Sequence, residues 1–352
     1  MTPLDRYLAD AAIAAQILLG RFTAGEQKKV MDLLTATQRE LKLKLLGDLT
    51  DFSRSRVTAL LKQCNEIIAA GYKGIQTELD FSDLADHVAE TTIQPMTAIG
   101  LEASLPTVAS MKVLINGSVV DGATMKAWWE KQAQDTTFKF NAAVRQEYAN
   151  AVRQGISMGE TLQQIIRRVA GSKKLGITGV LDISRRNAFA LVHTSIMQVA
   201  GDARMAVYQA NNDIMKGYRW LSTLDGHVCP LCVARSGAEW DLQLRPINGN
   251  KIPFHSVPLH FNCHCIIQPI TKTYRELGLD RDEVPVGTRA SDEGQVRADI
   301  TMTEWLKSKP KAYVDDLLGK GRSDLFLSGK ITLPQLLDQS GRPLLLKDLR
   351  GK

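Results

Sequence analysis

Four of the five cysteines in the chain lie close together and are spaced as metal ligands are. Cys229 and Cys232 form a Cys-x-x-Cys pair, and 30 residues separate it from Cys263, His264 and Cys265. A Cys-x-x-Cys pair on a tight turn directs two thiolates at one point, and a tetrahedral zinc site needs two further nitrogen or sulfur ligands. The spacing therefore predicts a zinc site built from two distant segments.

Five donors compete for the four positions of this site. We assign Cys229 and Cys232 to it, and expect two of His260, Cys263 and Cys265 to complete it. In an extended segment Cys263 and Cys265 point the same way, because side chains alternate with a period of two. His260, three residues before Cys263, is able to replace either, so the choice among the three stays open.

Other polar residues near the cluster do not form a recognisable catalytic site. His264 would project opposite its cysteine neighbours and His255 is isolated, so we interpret both as surface or hydrogen-bonded histidines. Asp225, Glu239 and Asp241 are close in sequence, yet none belongs to a metallohydrolase or deaminase motif. The chain also contains no G-x-x-x-x-G-K-[ST] loop for nucleotides. We predict a structural zinc ion and a protein that is not an enzyme.

The elements around the cluster are predicted to be short strands. Residues 217–222 and 265–270 read as strands, the second ended by Pro269, with turns rich in Gly, Pro and Asn between them. This segment contains few apolar residues that could form a core, so we expect a cross-link to stabilise it.

The remainder of the chain has the pattern of helices. Residues 4–98 read as several amphipathic helices, and residues 162–170 carry apolar side chains at helical spacing. Another helix is predicted to begin with Ser184 as its N-cap and to run toward Val207. A turn-rich patch is expected at residues 115–122. The predicted fold is mainly α, with a small α+β module that zinc cross-links.

The predicted organisation has three parts. Residues 1–105 form a helical docking region, and residues 106–270 form a central domain whose zinc-binding segment is 218–270. Residues 271–352 comprise a charged linker followed by a helical C-terminal tail.

Composition restricts the partners of the chain. Its formal charge of +6 and its basic pairs at 167–168, 173–174 and 185–186 are a weak indication of non-specific DNA contact, since solvated helix faces explain them equally well. No apolar run is long enough to span a membrane, and no export signal is recognisable. Clustered cysteines in such a chain favour metal binding over disulfides. The separate Cys64 is expected to be a small core residue.

The cluster and its surroundings resemble the phage Mu F-like minor head morphogenesis family of tailed bacteriophages. The residues that carry the resemblance are Trp220, the segment 224–232, Gly237, Trp240 and the segment 258–265. Members typically show a Trp, an Asp followed by C-x-x-C, a Gly and a closing H-P-N-C-R-C. Here Phe261 replaces the family's proline and His264 its arginine, and neither change removes a predicted ligand. The resemblance covers roughly residues 110–270, with a weaker match beyond.

What the resemblance implies is a minor capsid protein present in few copies. It would associate with the portal and with capsid or scaffold proteins during procapsid assembly, and act in DNA packaging or ejection. It would reside in the virion head, and in the host cytoplasm during assembly. One departure is the sequence at residues 193–195, His-Thr-Ser, where members often carry Arg-Thr-Glu.

Two other functions compete with this one. An HNH-type nuclease also uses C-x-x-C pairs around zinc, but the sequence has no His-His dipeptide, and its one Asp-His dipeptide, Asp86-His87, lies more than 100 residues before the cysteine cluster. A zinc-containing DNA-binding module is the third hypothesis, and its binding would depend steeply on salt.

Overall fold

The structure is a computed structural model. It describes residues 2–48, 59, 62–64, 66–67, 70, 82–107, 149–170, 180–260, 262–282 and 287–350. Helices dominate these residues, so the predicted mainly α fold is confirmed. The α-helices with defined bounds are Pro3–Asp48, Ser82–Ala98, Leu162–Ala170, Val180–Ala210, Pro230–Arg235, Met302–Lys307, Lys311–Leu318, Lys320–Leu327 and Leu346–Arg350. Residues 149–157 are also helical, and short 3-10 helices occupy Asn212–Ile214 and Leu333–Leu336.

The chain divides into two compact units. The first consists of Met1–Gly20, Asp83–Leu114 and Met197–Lys352, and the second of Arg21–Ser82 and Ile115–Ile196. All the predicted zinc ligands belong to the first unit. The three-part division expected from the sequence, with boundaries at residues 105 and 270, stays a prediction.

A four-stranded antiparallel sheet lies beside the cysteine segments. Its strands are β1 (Met215–Leu221), β2 (Glu239–Asp241), β3 (Pro246–Ile247) and β4 (Ile266–Thr271), in the order β3-β2-β1-β4. The two predicted strands therefore exist within about two residues of their expected bounds, and they pair with each other.

Pro269 does not end its strand, as the sequence suggested, but lies inside β4 opposite Tyr218. An edge strand tolerates proline because one side of its backbone has no strand to bond.

The beginning of the first helix is bonded to this sheet. Asp5 is 1% exposed, and its Oδ1 accepts hydrogen bonds from the backbone N and the hydroxyl of Thr271, both at 3.0 Å. On β1, Arg219 Nη1 lies 3.7 Å from Asp5 Oδ2, and Arg219 Nε donates to Glu239 Oε1 at 2.7 Å. Gln268 donates to the Asp5 carbonyl at 2.8 Å. The first turn of the chain is thus part of the sheet's core.

Apolar packing continues along the same helix. Ala9 and Ile13 form a buried cluster with Leu221 of β1 and Ile266 of β4. The side chain of Ala9 is only a methyl group, so the helix can approach the sheet closely at this residue. This packing covers the face of the sheet next to the segment that ends in Cys265.

Part of the predicted linker is ordered. Thr288–Ser291 (β5) and Gly294–Arg297 (β6) form an antiparallel hairpin. Earlier in the segment, Tyr274 is 1% exposed and its hydroxyl donates to the Ile99 carbonyl at 2.7 Å. Because the segment is charged on average, its composition did not indicate that Tyr274 is buried. The helices that follow agree with the predicted C-terminal tail.

One helix begins earlier than predicted, and some predicted features lie outside the described residues. The helix predicted to start at Ser184 begins at Val180, so Ser184 is inside it and is not its N-cap. The turn-rich patch at 115–122 and the pair at 173–174 lie outside the described residues. Within the described part of the chain, no helix is both long and apolar enough to cross a membrane.

Candidate metal centre

The Cys-x-x-Cys pair is positioned by a turn that leads into a short helix. Asp225 Oδ1 accepts hydrogen bonds from the backbone N–H groups of His227 and Val228, at 2.8 and 3.1 Å, which fixes the turn. Cys229 is the extended N-cap residue of the helix Pro230–Arg235, and its carbonyl accepts from Val233 N at 2.9 Å. Proline suits the first helical position because its φ is already helical and no N–H is needed there. The two thiols therefore lie on one helical turn.

The second ligand segment approaches through an irregular turn. Cys263 N donates to the His260 carbonyl at 3.2 Å, and Asn262 between them has a φ of 58°. Asparagine is one of the few residues other than glycine that often adopt this left-handed conformation. The turn brings His260 and Cys263 to the same end of β4. Cys265 directly precedes that strand.

The helix Val180–Ala210 is close to this segment. A Cβ added to Gly201 would lie 2.6 Å from the Val257 carbonyl oxygen, which is shorter than side chains allow. Only glycine permits this approach, so Gly201 contributes to the placement of the residues before His260.

The five predicted ligands meet in two overlapping groups. Cys229, Cys232 and His260 form one, and Cys232, Cys263 and Cys265 form the other; within each group the donor atoms lie within 4.8 Å of one another. His260 Nε2 is 3.0 Å from Cys229 Sγ and 3.1 Å from Cys232 Sγ. Cys232 Sγ is 3.9 Å from Cys263 Sγ. Cys232 belongs to both groups and is the centre of the cluster.

The distance between Cys232 Sγ and Cys263 Sγ is compatible with a tetrahedral thiolate site. Zn–S bonds of about 2.3 Å place two sulfur ligands of a tetrahedron about 3.8 Å apart, close to the spacing of Cys232 and Cys263. Cys265 is buried, and its Sγ also lies 3.7 Å from the Ser222 hydroxyl. Ser222 itself donates to the Cys232 carbonyl at 2.8 Å and thereby links the two segments.

Crowding of the thiols separates their pKa values. Hydrogen bonding from Cys232, with a smaller contribution from His260, lowers the pKa of Cys229 to about 4. Hydrogen bonds from Cys232 and Cys265 lower the pKa of Cys263 to about 2. Donation to its neighbours raises the pKa of Cys232, and burial raises that of Cys265. A divalent cation at the cluster would favour the ionised form of every thiol that binds it.

Arg235 is a neighbour of the cluster that no sequence pattern indicated. It is 4% exposed, and the charges of Cys232 and Cys265 act on its pKa, although burial lowers that pKa overall. Its guanidinium donates to the Gly341 carbonyl at 3.2 Å. A buried cation close to thiolates reduces their mutual repulsion. Its role depends on tertiary contact with Gly341, which sequence spacing does not reveal.

The histidines interpreted as surface or hydrogen-bonded residues stay apart from both groups. His255 is exposed, and its Nδ1 is 2.7 Å from the Ser256 carbonyl oxygen. The His264 ring stacks on His227 with centroids 6.0 Å apart, and burial lowers the pKa of His264. Among the described residues, neither His255 nor His264 belongs to a candidate metal-ligand group.

The basic pair of the helix Leu162–Ala170 has two different surroundings. Arg167 is exposed, whereas Arg168 forms an ion pair with Glu160 and donates through Nε to its Oε2 at 3.1 Å. Arg168 is therefore partly neutralised. The side chains of Arg185 and Arg186 lie outside those the structure describes.

One protein-family model matches part of the chain. Residues 146–268 match the family model described as Phage Mu protein F like protein. The match contains all five predicted ligands and begins later than the resemblance suggested, at residue 146 instead of about 110. Comparisons with curated proteins and with solved structures found no match. The predicted resemblance is confirmed over this part of the chain: residues 146–268 are similar to the phage Mu F-like family.

Proposed function

We propose that the chain is a minor head protein of a tailed phage that acts in procapsid assembly at the portal, with a structural zinc ion in its Mu F-like region. The observation that carries the proposal is the coincidence of that region with the Cys/His cluster. The family indicates phage head morphogenesis, and residence in the virion head follows from it. Portal, capsid and scaffold proteins are the proposed partners, with non-specific DNA contact as a weaker proposal.

The proposed zinc ion stabilises the fold and does not act in catalysis. The candidate ligands are mostly soft sulfur donors, which are typical of closed structural zinc sites. A catalytic zinc needs an open coordination position for water and a general base beside it. Glu239, the first residue of β2, forms an ion pair with Arg219. Asp225 accepts two backbone hydrogen bonds. Both carboxylates therefore have structural partners of their own.

The metal is tested by elemental analysis of the purified full chain. We expect about one zinc per chain, and loss of both metal and fold in residues 218–270 on Cys229→Ser. Cys64→Ser is the control, because Cys64 is buried outside the cluster. A folded wild-type protein without metal would contradict the structural zinc.

The assembly role is tested separately. The purified protein should bind the portal protein of its own phage, and deletion of its gene should yield heads that do not become infectious particles. Unchanged infectivity together with no affinity for the portal would refute the assembly role, whatever the metal content.

Two assays test the alternatives. A magnesium-dependent plasmid-nicking activity that disappears on His255→Ala would favour the HNH nuclease. Binding to DNA that weakens steeply with salt would favour a DNA-binding module, because each neutralised phosphate releases a counterion. We expect no nicking and only a shallow salt dependence.

A further inference from the structure

A buried arginine has no partner for its charge among the residues that the structure describes. Arg204, on the helix Val180–Ala210, is 4% exposed. Its guanidinium forms no hydrogen bond or ion pair with the described residues, and Tyr208 is the titratable neighbour that affects its pKa. Burial lowers that pKa, yet a guanidinium stays protonated near neutral pH. An uncompensated buried charge is costly, so a counter-charge is expected here.

The guanidinium borders a small cavity of about 20 Å³. Leu8 of the first helix, Thr92 and Met96 of the helix Ser82–Ala98, Tyr208 and Pro269 of β4 also line it. A cavity of this volume holds one water-sized particle. All of these residues belong to the first compact unit, and the cavity lies where its helices meet the sheet.

The polar groups that can bond to an occupant are donors. Burial raises the pKa of Tyr208 to about 12, so its hydroxyl is neutral and retains its proton. That hydroxyl, like the guanidinium, has no hydrogen bond within the described part of the chain. The Thr92 hydroxyl donates to the Val88 carbonyl at 2.6 Å and is already used. Arg204 and Tyr208 therefore offer N–H and O–H groups to an acceptor.

We propose that this cavity binds one chloride-sized anion between the Arg204 guanidinium and the Tyr208 hydroxyl. Water would fit the volume but would leave the charge of Arg204 uncompensated. Phosphate and carboxylate groups are larger than one water-sized particle. Apart from Thr91 and Thr92, whose hydroxyls donate to carbonyls of their own helix, the other residues that line the cavity are apolar. The anion would connect two helices of the N-terminal half to the helix that leads into β1.

The test is chloride binding by the full-length protein at constant ionic strength, with gluconate as the replacing anion. We expect a saturable broadening of the chloride NMR line, and a thermal midpoint that rises with chloride concentration, because a ligand that binds only the folded state stabilises it. Both effects should disappear in Arg204→Met. Arg153→Met, which removes an exposed arginine, should keep both.

Tyr208→Phe provides a second variant that retains the ring and loses only the donor. It should bind chloride several-fold more weakly, so the proposal remains testable if Arg204→Met does not fold. A folded wild-type protein without saturable chloride broadening overturns the proposal. Displacement of chloride by equimolar acetate also overturns it, since the site would then accept a carboxylate.

Discussion

Residues 229–265 and residues 301–337 are segments of equal length that are held together in different ways. The first contains one six-residue helix and two strands of three and two residues. The second is largely helical, and capping boxes begin its first helix at Thr301 and its last helical turn at Thr332. Regular backbone hydrogen bonds account for much of the second segment and for little of the first.

The buried side chains differ in the same way. Trp305, Phe326 and Leu336 form the interior of the C-terminal segment. In the cluster segment, Trp240 is the largest fully buried side chain, and its indole N–H donates to the Ile252 carbonyl at 3.0 Å. The buried thiols of Cys232, Cys263 and Cys265 lie in the same segment. A segment with few apolar residues and short elements needs a cross-link, whereas a capped helical segment does not.

The largest effect is expected from Cys232→Ser, because Cys232 belongs to both ligand groups. The variant should lose its metal, and hydrogen-exchange protection in residues 229–265 should disappear while that in 301–337 stays. Zinc-finger peptides gain roughly 10–16 kcal/mol from their metal, so the loss should be complete. Mass-spectrometric exchange measures both segments in one sample. Equal loss of protection in the two would show that the helical segment also depends on the metal.

Thiol labelling should distinguish the cysteines within the first segment. The pKa of Cys229 is lowered to about 4, so its thiolate persists from high pH down to about that value. In the folded protein at pH 6, before any chelator is added, iodoacetamide should modify the half-buried Cys229 at least about tenfold faster than Cys265, which is buried and whose pKa is raised by that burial. Its rate should fall only as the pH approaches 4. A rate that instead rises between pH 7 and 9 would indicate an ordinary thiol.

Removal of one tryptophan from each segment compares their packing. Trp305→Ala and Trp240→Ala should each cost about 3–5 kcal/mol, the range for large aromatic residues in a core. Chemical denaturation with and without chelator measures the difference. The cost of Trp305→Ala should not change with chelator, whereas that of Trp240→Ala should largely vanish, because its segment is then already unfolded.

The smallest effect is expected at a helix cap. Thr301 Oγ1 accepts from Glu304 N at 3.1 Å, so Thr301→Ala should lower the free energy of unfolding by about 1 kcal/mol. Thr303→Ala, the same substitution inside the helix, should cost nothing, since alanine favours helix interiors. Equal costs in the two variants would show that the cap contributes little.

Much of the candidate site was predictable because its signals are local. Cys-x-x-Cys spacing indicated the first half-site, and the alternation of Cys263 and Cys265 indicated the second. The pairing strands were recognisable from their short apolar runs. Predictions were wrong where a neighbour decides the outcome: Pro269 remains in a strand because β4 is at the sheet edge, and the helix that includes Ser184 begins earlier, at Val180.

The sequence by itself determined which residues are available as ligands and the family to which residues 146–268 are similar, because residue type and spacing are properties of the chain. Only the tertiary structure decided that Cys232 is shared by both groups, that Arg235 accompanies the thiols and that Arg204 is buried with no counter-charge among the described residues. These facts depend on contacts between residues far apart in sequence. Burial and charge compensation arise when such residues meet, so a linear pattern cannot contain them.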